Sequence, residues 1–193
     1  MGGQCAARSL HGRVRIAAVT EEEAKAAAHE ALRAMEQILQ RHGQAMALCL
    51  LFGEKQTIGA NVLTPGGVKQ SMAFKALHLK AIALKARAMV FAAEVWLADE
   101  MPPAGRQVSD METRKEAVIA AAAYFDEHGE RQSFLISRDI LRDESGAVIG
   151  LATPQEKTIW NGGEVLDIFP ESPPTESQAR EAERIIQRCN LIS

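Results

Sequence analysis

The stretch E116-AVIAAAAYFDEHGERQSFLISRDILRDESGAVIGL-A152 decides the fold. Its first third is rich in alanine, the strongest helix former, and Ser109 with Glu112 would make a capping box ahead of a helix. The rest argues for strands. "DEHGE" followed by "RQSFLISRDIL" reads as a hairpin, and "DESG" returns the chain through "AVIGLA". A meander explains both turns at once, so residues 116–126 are read as a strand, with a helix as the alternative.

Working upstream, "AMVFAAEVWLA" (88–98) is a further strand. Met89, Phe91, Ala93, Val95 and Leu97 share one face, and Val90, Ala92, Glu94, Trp96 and Ala98 share the other. A strand buried on both faces is apolar throughout, so Glu94 marks where the second face stops being dry. "QAMALCLLF" (44–52) is a buried strand, "GEKQ" turns it, and "TIGANVL" (57–63) returns.

Two helices flank this pair. "TEEEAKAAAHEALRAMEQILQRHG" predicts a helix over 21–42. Thr20 and Glu23 form a capping box, three glutamates lie at the positive end of the dipole, and Gly43 is the stop. Ala24, Ala28, Ala31, Leu32, Met35, Ile38 and Leu39 fall on one face. After "TPGG", residues 69–87 predict a second helix whose apolar residues, Met72, Leu77, Ile82 and Leu84 among them, spread around the axis; it is expected to be largely covered. "TPQEKTIWNGGEVLDIF" adds an irregular strand or hairpin, "PESPPT" is a linker, and "ESQAREAERIIQRCNLI" is a terminal helix with Ala182, Ile185, Ile186 and Cys189 as its apolar positions.

The expected architecture is therefore α+β: a mostly antiparallel sheet of about five strands, two helices packed on it and a C-terminal helix, in the order α-β-β-α-β-β-β-α. Residues 1–19 are expected to be loosely ordered, although "GRVRIAAV" could add an edge strand. Residues 20–170 form one domain, and 171–193 a linker and helix that docks on the domain or on a second copy. With 47% hydrophobic and only 5% aromatic residues, the core must be built from small and aliphatic side chains, favouring close approach of helix to sheet.

Composition limits function more than it reveals it. No apolar run reaches the ~18 residues of a membrane span, and the N-terminus has no secretory pattern. Cys5, Cys49 and Cys189 give neither a disulfide framework nor metal spacing, so a reducing, cytoplasmic setting is expected. His11, His29, His42, His78 and His128 never fall three or four apart, and no metal or cofactor is expected. "TPGGVKQS" fails the spacing of a phosphate-binding loop, and there is no GxSxG elbow.

Charge is segmented. Residues 55–93 hold six bases and no acid, whereas 94–193 hold nineteen acids and ten bases. Lys69, Lys80 and Arg87 cluster on a helical wheel and are candidates for anion or nucleic-acid binding, but no aromatic residues interleave with them. A solvated face opposite the acidic half explains them equally well.

The remaining candidate site is Glu94 with Trp96, and Arg138 and Arg142 from "RDILRD". A carboxylate on a mostly buried strand must be paired or hydrogen-bonded. The expectation is that an arginine from 138–142 answers Glu94, either closing one end of the sheet or lining a pocket roofed by residues 99–115.

The EVW strand, the proline-containing loop after it, the hairpin ending in "SRD" and the "G…IG" return resemble small bacterial or phage-borne proteins of uncharacterised function over residues 20–152. That resemblance implies no activity. The element order is similar to the roadblock and profilin-like arrangement, as fold analogy alone. The function expected is that of a noncatalytic interaction or scaffold protein pairing with itself or another protein. Anion or nucleic-acid binding through 55–93, and a small enzyme built around Glu94, are the alternatives.

Overall fold

Ala120 to Ala123 sit at the centre of the sheet as consecutive residues of a strand. A surface helix needs a polar stripe, and none exists from Ala117 to Phe125. Packing on both sides overrides the helix propensity of alanine. The structure, a computed structural model, describes residues 19–62, 70–98, 106, 111–157 and 163–189. Its elements run α1 (Glu21–His42), β1 (Ala47–Phe52), β2 (Thr57–Val62), α2 (Gln70–Ala83), β3 (Ala88–Leu97), β4 (Lys115–Phe125), β5 (Arg131–Arg142), β6 (Val148–Leu151), β7 (Gln155–Lys157), α3 (Gly163–Leu166) and α4 (Glu176–Cys189).

The sheet is antiparallel in the order β2-β1-β3-β4-β5-β6, with β7 also on β5. It has seven strands where about five were expected; the four- and three-residue pieces β6 and β7 fall on the "AVIGLA" return and on the "TPQEK" stretch read as an irregular strand. These lie along one edge of β5, since Ile140 pairs with Leu151 and Ser137 with Gln155. Three steps along β5 thus face four along the partner: the register slips by one residue after Ala152, whose N–H still donates to Asp139 O, and a separate bulge lies between Leu141 and Arg142. The hairpin turns are held as expected from their sequences: Asp126 Oδ1 accepts the His128 and Glu130 N–H groups, and Asp143 Oδ1 those of Ser145 and Ala147.

Register matches large residues with small ones. Val90 pairs with Ala122, Phe91 with Ala121 and Met89 with Ala123, while from β5 Phe134 flanks Ala122, Leu135 flanks Ala121 and Ile136 flanks Ala120. On one face Ala24, Ala28, Ala31, Leu32, Met35 and Leu39 of α1 pack over Val90, Ala92, Val118, Ala120 and Ala122. On the other, Phe74, Leu77 and Ala81 of α2 with Ile168 and Phe169 cover Met89, Phe91, Ala121, Ala123 and Phe125. α1 carries the expected reciprocal capping box and ends at Gly43, whose φ of 73° is left-handed.

α2 is largely covered, as expected: between Ala73 and Ala83 Lys75 alone is exposed, although Met72 in its first turn is 57% exposed. α4 docks on α2 of its own chain, through buried Ala179 and Ala182.

The β1–β2 turn approaches the end of α2 so closely that a side chain would not fit. A Cβ on Gly53 would stand 2.6 Å from the Leu84 carbonyl oxygen, a backbone atom that cannot swing aside. The Gly53 N–H is also committed to Gln56 and the Glu54 N–H to Leu84. Gly53→Ala is expected to cost roughly 1–3 kcal/mol, the range for overpacking a tight site, read as a lower urea midpoint; an unchanged midpoint would refute this contact.

Candidate functional site at the charged end of the sheet

The sequence candidates do gather at one end of the sheet's α1 face, but with different partners. Glu94 lies opposite Val118, and Val118 lies opposite Arg138. The two charged residues therefore share a row with a whole strand between them, roughly 10 Å apart at about 4.8 Å per strand spacing. The expected Glu94–arginine pair does not form. Glu94 Oε2 accepts the Ala45 N–H at 3.2 Å instead, so this half-buried carboxylate ties the α1–β1 connection to β3.

Arg138 turns toward the end of β6. Its Nε donates to the Ala152 carbonyl at 2.7 Å, its Nη2 to Leu151 O at 2.9 Å, and its Nη1 to Glu36 Oε2 at 3.3 Å. The other Glu36 oxygen accepts the Leu151 N–H at 3.1 Å. One glutamate from α1 and one arginine from β5 thereby satisfy the Leu151 and Ala152 backbone where β6 ends. Arg142 donates through Nε to Glu116 Oε2 at 2.5 Å and through Nη1 to Gly146 O at 3.0 Å. Trp96, 41% exposed, carries the Arg114 guanidinium 5.0 Å from its ring centroid.

Glu36, Glu116 and Arg114 are the participants that sequence reasoning missed. Glu116 was legible in principle, as the residue cross-strand from Trp96. Glu36 was not, because it reads as one more solvated position of an amphipathic helix. The cluster balances three carboxylates with three guanidinium groups. Among the described residues no buried side-chain nitrogen or oxygen lacks a hydrogen-bond partner. Arranged so, the end of the sheet can order backbone and seal a core. Most of the 99–115 connection that was expected to roof a pocket here lies outside the described residues.

Among the anion-binding candidates, Lys69 lies outside the described residues, Lys80 is on α2, and Arg87 stands 3.6 Å from Glu54. Lys85, at a left-handed φ of 51°, bridges Glu54 at 3.0 Å and Glu176 at 2.9 Å. Its pKa is raised by Glu176 first and Glu54 second, and Lys85 in turn holds Glu176 below the usual carboxylate range. Part of the basic segment is thus spent on joining the β1–β2 turn to α4. Burial pushes the Cys49 thiol up to about 12, which leaves it inert as a nucleophile. Among the described residues no group of three or more His, Cys, Asp or Glu could hold a metal ion, and no helix is long and apolar enough to cross a membrane.

No protein-family model matches the chain, nor does any curated protein or solved structure. The likeness to the roadblock and profilin-like arrangement accordingly stays one of element order.

The geometry separates two glutamates that the sequence could not rank. Glu36→Gln leaves the mostly buried Arg138 without its counter-charge and is expected to cost about 1–3 kcal/mol. Glu94→Gln keeps an amide oxygen for the Ala45 N–H and is expected to stay within about 0.5 kcal/mol of the parent. Chemical denaturation of both variants checks the order; Glu94→Gln proving the more harmful would contradict it.

Proposed function

We propose that the protein is a noncatalytic interaction protein that pairs with a second copy of itself through β2. The observation that carries this reading is the contrast between the two sheet edges. The β5 edge is blunted: β6 and β7 are short, broken by a register slip, and charged at Glu156 and Lys157. β2 pairs only with β1 among the described residues, and its six residues, TIGANV, include no charge and no proline. An edge of this kind offers a row of free backbone donors and acceptors, and natural sheets normally protect it.

A second β2 strand, antiparallel across a two-fold axis, satisfies that row with the same groups it presents. Thr57, Gly59 and Asn61 are exposed and small, so two such strands can approach without steric conflict. Lys85 and the arginines of the charged cluster are engaged within the chain, with Glu54, Glu176, Glu36 and Glu116.

Sedimentation velocity over a concentration series tests the reading. The parent chain is expected to sediment as a dimer. The double variant Thr57→Lys, Asn61→Lys places like charges across the edge and is expected to sediment as a monomer with unchanged circular dichroism. A parent chain that stays monomeric throughout would refute the proposal, as would a dimer indifferent to both lysines.

A further inference from the structure

Beside α2, where α3 meets it, a cavity of about 260 Å³ is lined by Ser71, Phe74, Lys75, His78 and Asp167. Ser71, Lys75 and His78 recur at i, i+4 and i+7, which puts them on one face of the helix. Phe74 supplies the apolar part. It is 5% exposed and held edge-on by Phe91, with 5.8 Å between ring centroids. The wall opposite is clamped from both sides. Arg131 Nη2 donates to the Leu166 carbonyl and His78 Nδ1 to that of Ile168 at 3.3 Å, so the backbone on either side of Asp167 is fixed.

The groups that these anchors present are uncommitted. Among the described residues the side chains of Ser71, Lys75 and Asp167 have no hydrogen bond or ion pair, although Lys75 and Asp167 carry opposite charges on one cavity. His78 is committed through one nitrogen. A carbonyl oxygen can only accept, so Nδ1 carries the proton, and in the neutral ring Nε2 is left as an acceptor. The polarity of the lining is therefore ordered. The donors Ser71 and Lys75 lie toward the start of α2. The acceptors His78 Nε2 and Asp167 lie together at the other end, since Asp167 adjoins the residue that His78 contacts.

We propose that the cavity binds a small zwitterion of the α-amino-acid class with an apolar side chain. Its carboxylate accepts from Ser71 and Lys75, its ammonium donates to Asp167 and His78 Nε2, and its side chain lies on Phe74. The dimensions agree. Ser71 and His78 are separated by about 10 Å along the helix axis, at about 1.5 Å per residue. An amino acid measures roughly 3 Å from ammonium to carboxylate, and a hydrogen bond of about 2.9 Å at each end extends its reach to about 9 Å. Other classes answer less of the lining. A simple anion would face the like charge of Asp167, and an apolar molecule would cover both charges without pairing them.

Titration of the full chain with L-leucine and L-phenylalanine, followed by NMR of the backbone amides and the His78 ring, tests this. Shifts are expected at Ser71, Lys75, His78 and Asp167, while the β2 signals stay in place, which keeps the result separate from self-association. N-acetyl-leucine lacks the ammonium and leucinamide the carboxylate. Each is expected to bind at least about tenfold more weakly, the loss that follows from one unanswered charge. Asp167→Asn and Lys75→Gln alter exposed side chains, so circular dichroism is expected to match the parent while leucine affinity falls by a similar factor. No shift at the cavity with either amino acid at millimolar concentration would overturn the proposal. So would N-acetyl-leucine or leucinamide binding as well as leucine, or a leucine affinity indifferent to either substitution.

Discussion

Everything else in this protein is built around four alanines in the middle of its central strand. Ala120 to Ala123 point alternately to the two faces of the sheet; Ala121 lies between Phe91 and Leu135 and Ala122 between Val90 and Phe134, while Ala120 faces Ala92 and Ile136 and Ala123 faces Met89 and Ser133. A strand this lean can be buried from both sides only if its neighbours and the covering helices supply the volume. On one side the alanine-lined face of α1 comes down close; on the other, Phe74, Phe91, Phe125 and Phe169 fill the wider space beneath α2. The α1 face holds aromatic residues too, Tyr124 and Phe134, but nearer its margin with Lys25 over the Phe134 ring.

The placement of α1 explains the charged end of the sheet. Because α1 lies directly on β3 and β4, its second half brings Glu36 over the row that holds Arg138. The end of β6, at Leu151 and Ala152, then presents two carbonyls and one N–H within reach of that pair. Glu94, two strands away in the same row, is left for the backbone of the α1–β1 connection. The same placement leaves β1 and β2 without a helix on that face, which is why Leu48, Leu50 and Phe52 are half-exposed while Cys49 and Leu51, on the other face, are buried.

Local signals made most of the fold legible. The Thr20–Glu23 box, the Gly43 stop, the two aspartate-led hairpin turns and the alternation in β3 each operate within a few residues. They placed α1 and the meander nearly to the residue. Where reasoning failed, the cause was non-local. Which acid meets Arg138 depends on strand order and on where α1 crosses the sheet, and no spacing encodes that. The right residues for the charged cluster could be named, since a charge on a half-buried strand needs an answer wherever it comes from. Their pairings could not.

The claim that alanine at the centre of β4 sets the helix-to-sheet distance is tested most directly by Ala120→Leu, measured by urea denaturation beside Ala147→Leu. Ala120 is wholly buried under α1, whereas Ala147 is exposed in the β5–β6 turn. The account predicts a loss of about 1–3 kcal/mol at position 120 from overpacking and a change within about 0.5 kcal/mol at position 147. If leucine at 120 were tolerated as well as leucine at 147, α1 would not be seated on the alanines and the account would be wrong.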